Sequence, residues 1–251
     1  MVSFRLNMAS VGMKLKLGPW PNWTRIGLLI VAVLKVLWEP SHVSAAETNP
    51  LLSTWLASQT NLHSWSADVL QIRTLKTLAQ PLTARGRVWF VAPNLFRWEL
   101  GEPAQAIAVR QPSEMLVIYP RLKRVERYPL DAGKAGPWRD ALSLLEAGFP
   151  RNQADLESRF KLLSVTGSGD SARATLQPKS ATARRMMPEI TIIFDVKNGS
   201  LRGTELTFAD GSRMRNEFTN TALNPKIDDA LFHPQWPPEF KIVQPLGDLG
   251  K

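Results

Sequence analysis

The 251-residue sequence contains no cysteine. This absence excludes disulfide bonds, cysteine-ligated zinc sites, thiol catalysis and lipid attachment through a cysteine side chain. It leaves the redox compartment open, because a domain with a sufficient apolar core can fold in an oxidising environment without disulfides. With 44% hydrophobic residues, the chain has the material for such a core.

The sequence also lacks the motifs of common catalytic and metal sites. Neither His63 nor His233 belongs to a cluster of metal-ligating residue types. The run Gly167-Ser168-Gly169 is typical of a turn and lacks the G-x-S-x-G form, and no glycine-rich phosphate loop is present. The pair Asp228-Asp229 is typical of a solvated helix start. These absences predict a protein that is not an enzyme and needs no metal or cofactor.

The charge balance is basic, with 31 Lys or Arg against 22 Asp or Glu and a net charge of +9. Part of this charge lies in residues 1–46, which have the pattern of a secretory signal peptide. A basic start is followed by the apolar run 26–34 and by small residues at 43–46. The run is short for a membrane span of about 20 residues, and an uncleaved anchor is the alternative. Residues 47–251 carry 26 basic and 21 acidic side chains, a net charge of +5.

Basic residues cluster at two places, Arg184-Arg185 and the group Arg121, Lys123, Arg124 and Arg127. A solvated surface is the simpler interpretation of both clusters. The alternative is contact with an acidic partner or with lipid headgroups. Because aromatic residues do not alternate with these bases, nucleic acid is not an expected partner.

Alternation of apolar and polar residues predicts an antiparallel sheet. In its most aromatic stretch, residues 86–129, the side chains of Phe96, Trp98 and Leu100 point to one face. Strand patterns separated by turn signals occur at 66–75, 87–91, 96–100, 106–109, 115–119, 124–128, 160–165, 172–176, 190–194, 201–208, 213–218 and 240–243. The last pattern, 240–243, is a short edge strand that ends a capping segment. In the sheet we expect about ten or eleven antiparallel strands, and residues 182–188 are predicted to form a loop.

Helical spacing of apolar residues predicts a helix at 50–61, a second at 137–149 and a weaker one at 152–159. No internal repeat or linker divides residues 47–251, which indicates a single domain. A curled sheet can fill its concave side with side chains or hold an apolar ligand there. Patterning favours the filled core but leaves both possibilities open.

Several short motifs stand in a recognisable order. They are Gly86-x-Val88-Trp89-Phe90-x-x-Pro93-Asn94-x-Phe96-Arg97-Trp98-Glu99, Pro103, Ile118-Tyr119-Pro120, Leu176-x-Pro178-Lys179, Asn198-Gly199 and Asn224-Pro225-x-Ile227-Asp228-Asp229-x-x-Phe232. Over about residues 48–245, this order resembles the LolA-like family of periplasmic outer-membrane lipoprotein carriers.

The resemblance implies a mainly β fold with some α structure, an incomplete antiparallel β-barrel whose helices form a lid over an apolar cavity. The cavity residues that it implies are Val88, Phe90, Phe96, Trp98, Leu100, Ile107, Leu116, Ile118, Leu206 and Phe208. The lid residues that it implies are Trp138, Leu142 and Leu145.

The resemblance also implies a function. A soluble, monomeric periplasmic carrier would take the acyl chains of lipoproteins from an inner-membrane ABC transporter and deliver them to an outer-membrane acceptor. The alternative is a periplasmic carrier or binding module for another lipid or lipid-like precursor.

The sequence departs from the family pattern at two places. Ala92 stands where the best-known members have an arginine that closes the lid, so closure would rest on other groups, with Arg87 and Arg97 as candidates. Gln111-Pro112-Ser113 stands where members commonly have an Asp-Gly turn. Both departures keep a cargo other than the standard lipoprotein open.

Overall fold

The computed structural model describes residues 49–130 and 146–245, and within them twelve strands form one sheet. The strands are β1 Ser64–Thr74, β2 Leu82–Val91, β3 Leu95–Leu100, β4 Ala106–Arg110, β5 Glu114–Tyr119, β6 Arg124–Pro129, β7 Phe160–Ser168, β8 Ser171–Pro178, β9 Glu189–Asp195, β10 Leu201–Thr207, β11 Arg213–Leu223 and β12 Lys241–Val243. The predicted fold class, an incomplete antiparallel barrel, is confirmed, with twelve strands rather than ten or eleven.

The strand order across the sheet is β12-β6-β5-β4-β3-β2-β1-β11-β10-β9-β8-β7. Neighbouring strands are antiparallel except β12, which runs parallel to β6. The long central strand β1 pairs with β2 on one side and with β11 on the other, and so joins the two halves of the sheet. Because the order ends at β12 and β7, the sheet is open.

Within residues 49–130 and 146–245, three short α-helices flank the strands, and each begins at a residue whose side chain caps it. In α1 (Pro50–Thr60), Asn49 accepts a hydrogen bond from the Leu51 N–H. At the start of α2 (Gln153–Arg159), the Asn152 side chain accepts a hydrogen bond from the Asp155 N–H. The predicted helices at 50–61 and 152–159 are therefore confirmed.

The loop predicted at 182–188 is wrong, because α3 (Ala181–Met186) occupies most of it. Ser180 caps this helix by accepting from the Ala183 N–H, and Arg184 and Arg185 place positive charge in its last turn, where the helix dipole favours it. The helix predicted at 137–149 lies mostly outside the described residues, as does the predicted signal segment 1–46. The described part resumes with a 3-10 turn, Glu146–Gly148.

One face of the sheet, called the inner face here, carries the largest apolar cluster. The register places Trp65, Phe90 and Phe96 side by side on this face, in three adjacent strands. Helix α1 covers part of it: Trp55 is fully buried and stacks on Phe194 with ring centroids 5.0 Å apart. Leu156 of α2 is buried in the same cluster.

The opposite, outer face is apolar across β2 to β6 and is covered by the segment 224–240, called the C-terminal strap here. Phe232 of the strap is buried in a cluster with Val109 and Val125. The Arg97 guanidinium donates a 2.7 Å hydrogen bond to the Leu231 carbonyl oxygen and thereby ties the strap to β3. Two different covers thus bury the two faces of one sheet.

The β9–β10 hairpin packs against α1 through a turn that Asp195 organises. The Asp195 carboxylate accepts hydrogen bonds from the N–H groups of Lys197 and Asn198, at 2.8 and 3.1 Å, and from the Arg202 guanidinium. Burial alone would raise the pKa of Asp195, but these hydrogen bonds outweigh it and lower the pKa below its ordinary value. Gly199, at a φ of 66°, ends the turn, and its carbonyl accepts from the Gln59 side chain of α1.

Replacing Asp195 with asparagine removes the charge but keeps the shape, so Asp195→Asn is expected to lower the free energy of unfolding by about 1–2 kcal/mol at neutral pH. Because the folded-state pKa is lowered, the contribution is full above the unfolded-state pKa and is lost as pH falls through the folded-state pKa. Urea unfolding at neutral and acid pH measures this, and the difference from wild type should vanish in acid.

Asp170→Asn is the matched control, because the Asp170–Lys197 ion pair is exposed on both sides and should contribute less than about 0.5 kcal/mol. If Asp195→Asn lowered the free energy of unfolding by the same amount at every pH, the role assigned to the Asp195 charge would be contradicted.

Candidate functional site

Strand register gathers an aromatic array on the inner face. Trp65 of β1, Phe90 of β2, Trp98 of β3 and Phe218 of β11 point to this side, and Phe149 lies over them from the segment before α2. These residues are far apart in sequence, and only the pairing of β1 with both β2 and β11 brings them together.

The rings of this array touch in stacked and edge-on geometries. Phe149 stacks on Phe90 with centroids 4.4 Å apart and meets Trp65 edge-on at 5.2 Å. Phe218 meets Trp65 edge-on at 5.1 Å and Trp98 at 5.9 Å. Each such pair contributes roughly 0.5–1.5 kcal/mol beyond its buried area. Ring contacts therefore help to hold Phe149 on the inner face.

A cavity of about 20 Å³ remains inside the array. Its walls include Trp65, Phe96, Trp98, Phe149, Thr204 and Phe218. This volume is enough for about one water molecule and far too small for an acyl chain. In the described residues the interior is a filled core, so a ligand could enter only if some of these side chains moved.

The cavity has a polar side as well as an apolar one. Asn216, which is 3% exposed, donates to the Thr204 hydroxyl at 2.9 Å and accepts from the Gln71 side chain at 3.1 Å. The indole N–H groups of Trp65 and Trp98 are buried and have no hydrogen-bond partner among the described residues.

Seven of the ten cavity residues implied by the resemblance lie on the inner face. Five of them, Val88, Phe90, Phe96, Trp98 and Leu206, are part of the cluster or packed against it. The other two, Leu100 and Phe208, pack at its margin.

The structure does not bring Ile107, Leu116 and Ile118 to the same place. Trp98 is paired with Ala108, so Ile107 and Ile118, which pair with each other, point to the outer face. All three belong to the cluster under the C-terminal strap. The physical reason is the period of two in a strand, which sends neighbouring residues to opposite faces.

The two arginines named as lid-closing candidates also lie on the outer face. Arg97 pairs with Glu99 at 2.5 Å and holds the strap carbonyl of Leu231. Arg87 lies 3.9 Å from Asp68 and over the Trp89 ring. The implied lid residues, Trp138, Leu142 and Leu145, fall outside the described residues.

Sequence reasoning missed Trp65, Phe149, Asn216 and Phe218 as members of the site. Alternation along β1 contained a signal for Trp65, because Trp65, Ala67 and Val69 share a face. No sequence pattern marked Phe149, which lies in an irregular segment, or Asn216, a polar residue inside an apolar cluster.

Outside the aromatic array, the described residues form surface clefts but no cluster of metal-ligating side chains. Open clefts lie on the surface, one of them about 710 Å³ in volume and bounded in part by Leu70, Arg85 and Glu102. Across residues 49–130 and 146–245, no three histidine, aspartate or glutamate side chains converge as metal ligands would. No helix within these ranges is both long and apolar enough to cross a membrane.

The fold and the site describe an open antiparallel sheet whose inner face carries an aromatic, apolar interior. Residues 60–235 match the family described as outer membrane lipoprotein carrier protein LolA. Because this match covers well over half of the sequence, the chain belongs to the LolA family.

Individual relatives are distant. The chain is similar to an outer-membrane lipoprotein carrier protein of Chromohalobacter salexigens, with 25% identity over 164 residues, which are 65% of this chain and 72% of that protein. A crystal structure of an uncharacterised conserved protein from Thermus thermophilus matches 77% of this chain and 96% of its own, with a TM-score of 0.46 and 10% identity. The crystal structure of a LolA superfamily protein from Nitrosomonas europaea matches 72% of this chain and 95% of its own, with a TM-score of 0.39 and 10% identity.

Phe149→Ala is expected to open the interior. Removing the ring should lower the free energy of unfolding by about 2–4 kcal/mol and enlarge the apolar cavity. An enlarged apolar cavity should bind a hydrophobic dye such as N-phenyl-1-naphthylamine more tightly, which a fluorescence titration measures. Phe240→Ala, which removes a ring of the strap itself on the outer face, is the matched control. Equal gains in dye binding by both variants would contradict the location of the site.

Proposed function

We propose that this protein is a periplasmic carrier that binds the acyl chains of lipoproteins on the inner face of its sheet. The observation that carries the proposal is the aromatic array around the inner cavity, in a chain that belongs to the LolA family. A relative of this chain is named an outer-membrane lipoprotein carrier protein, which agrees with the same cargo.

The packing suggests how a carrier could bind and still release its cargo. Burial of an acyl chain stabilises a complex by about 0.8 kcal/mol per CH₂ group, so a fully open apolar pocket would hold three chains too tightly for transfer. Here the chains must displace rings that already fill the interior, and the lost ring contacts offset part of the gain. Phe149 is the ring best placed to move, because it lies outside the regular strands.

The cycle needs no chemical step from the protein. Cargo would arrive from an inner-membrane ABC transporter and leave to an outer-membrane acceptor, and the carrier would act as a monomer in the periplasm. Residues 1–46 would direct its export and be removed afterwards. Neither a cofactor nor a metal has a part in this scheme.

A second cargo class is favoured by one observation. The family's lid-closing arginine is replaced by Ala92, and the two nearby arginines, Arg87 and Arg97, make their contacts on the outer face. A carrier that closes differently could serve another diacylated or monoacylated lipid. Both cargo classes share the acyl chain, and they differ in the number of chains and in the headgroup.

Native mass spectrometry distinguishes the two cargo classes. The protein as isolated from its own cells would be incubated with a triacylated lipopeptide and, separately, with a diacyl phospholipid. We expect a one-to-one lipopeptide complex that survives competition by phospholipid. Binding of phospholipid alone would overturn the lipoprotein proposal in favour of the second cargo class, and binding of neither would overturn both.

The unpaired indole donors give a sharper prediction about the bound ligand. If an ester or amide carbonyl of the cargo accepts from the Trp98 N–H, Trp98→Phe should weaken lipopeptide binding about fivefold, the equivalent of one hydrogen bond. Binding of a pure hydrocarbon such as hexadecane should not change, and calorimetry can measure both.

Trp55→Phe is the matched control, because the Trp55 N–H is also buried without a partner among the described residues but lies outside the cavity wall. A loss of the same size in Trp55→Phe would indicate a general effect on packing and contradict the assigned contact.

A further inference from the structure

Antiparallel pairing sends the connections of this sheet alternately to its two ends. Thr74 pairs with Arg213, Thr207 with Glu189, and Tyr119 with Arg124, so the loops beside these pairs share one end. We name this end the rim. It consists of the loops at 75–81, 101–105, 120–123, 179–188 and 208–212.

The described loops of the rim are basic, and the described tight turns of the opposite end are not. The rim loops contain two acidic residues, Glu102 and Asp210, against six exposed basic ones. The basic residues are Lys76, Arg121, Lys123, Lys179, Arg184 and Arg185. The tight turns of the opposite end, at 92–94, 111–113, 169–170 and 196–200, contain one base and one acid, Lys197 and Asp170, which pair at 2.9 Å.

Exposed apolar side chains are concentrated at the same rim. Seven large apolar side chains are exposed in the part of the chain that the structure describes. Five of them lie in the rim loops or in the first residues of the adjoining strands: Leu78, Leu82, Leu122, Met186 and Ile242. Of the other two, Leu163 lies within β7 and Leu223 at the opposite end of the sheet.

Leu122 is the most exposed of these, at 70%, and lies between two basic residues. It ends the 3-10 turn Pro120–Leu122, and the Lys123 N–H donates to the Pro120 carbonyl oxygen at 3.1 Å. This local hydrogen bond fixes the turn, so the leucine is held outward rather than folded back onto the sheet. The nearest acid to Lys123 is Glu239, at 3.8 Å in an exposed pair that contributes little.

We propose that the rim docks on the surface of a bilayer that contains anionic lipid. Basic side chains are attracted to such a surface, and apolar side chains beside them insert at the boundary between headgroups and acyl chains. An acidic protein surface would also attract the charges, but its hydrated carboxylates would not favour burial of Leu122. The docking surface lies outside the acyl-binding interior, and its test is independent of the cargo.

The absence of cysteine allows a test specific to one position. Leu122→Cys would be labelled with an environment-sensitive fluorophore in the protein as isolated from cells. Leu223→Cys, an exposed leucine at the opposite end, is the matched control. Vesicles would contain phosphatidylcholine alone or equal parts of phosphatidylcholine and phosphatidylglycerol.

We expect the label at position 122 to become brighter and shift to the blue with the anionic vesicles only, and the label at 223 to stay unchanged. In the labelled Leu122→Cys background, the further changes Arg121→Gln and Lys123→Gln should weaken vesicle binding about 30-fold, or about fivefold for each lost charge. High salt should weaken it as well.

Three outcomes of the vesicle experiment would overturn the proposal. The label at 122 could fail to respond, it could respond equally to neutral vesicles, or the label at 223 could respond to the same extent. An equal response of position 122 to a soluble polymer of glutamate would also overturn it and would identify an acidic partner instead. Circular dichroism of each variant ensures that a lost response does not come from a lost fold.

Discussion

A sheet that is apolar on both faces must be covered on both, and most of this structure follows from that constraint. Strands β2 to β6 carry Val88, Phe90 and Phe96 on one side and Val109, Leu116 and Val125 on the other. Leaving either face exposed to water would cost about 25 cal/mol of folding free energy for each Å² of apolar surface. The chain covers the outer face with its C-terminal strap and the inner face with α1, α2 and the segment around Phe149.

The two covers are built differently, and the difference bears on function. The strap is anchored to the sheet by hydrogen bonds from charged and polar side chains, Arg97 to Leu231 and Gln111 to Phe232, both at 2.7 Å. Phe149, over the inner face, makes ring contacts with Phe90 and Trp65, which are apolar contacts rather than hydrogen bonds. A ligand with its own apolar surface can replace ring contacts, but it cannot replace the strap's hydrogen bonds. Under the proposed function, the Phe149 ring is the part of the inner cover that a lipid would displace, because α1 is also held by the 3.3 Å hydrogen bond from Gln59 to the Gly199 carbonyl oxygen.

The sequence predicted the sheet well because each strand carries its own alternation and its own turn signals. It also predicted that Asp228 begins a helical turn, and its side chain accepts from the Ala230 N–H. The site was predicted less completely, because an apolar residue in a two-faced sheet does not say which face it occupies. Ile107 and Trp98 both look like wall residues until the pairing of Trp98 with Ala108 separates them. The position of Phe149 depends on tertiary packing, and α3 depends on its single cap at Ser180. Neither leaves a periodic signal in the sequence.

The same pairing that determines the faces also determines the ends, and this links the interior to the rim. Antiparallel alternation puts Lys76, Arg121 and Arg185 at one end of the sheet although long stretches of chain separate them. Clustered positive charge destabilises a folded protein slightly through self-repulsion. The described tight turns of the opposite end have no such cluster, because the one lysine in them, Lys197, is paired with the one aspartate in them, Asp170. The stability of the fold does not explain why one end keeps six basic side chains together beside the exposed Leu122. Association with an anionic bilayer surface does explain it.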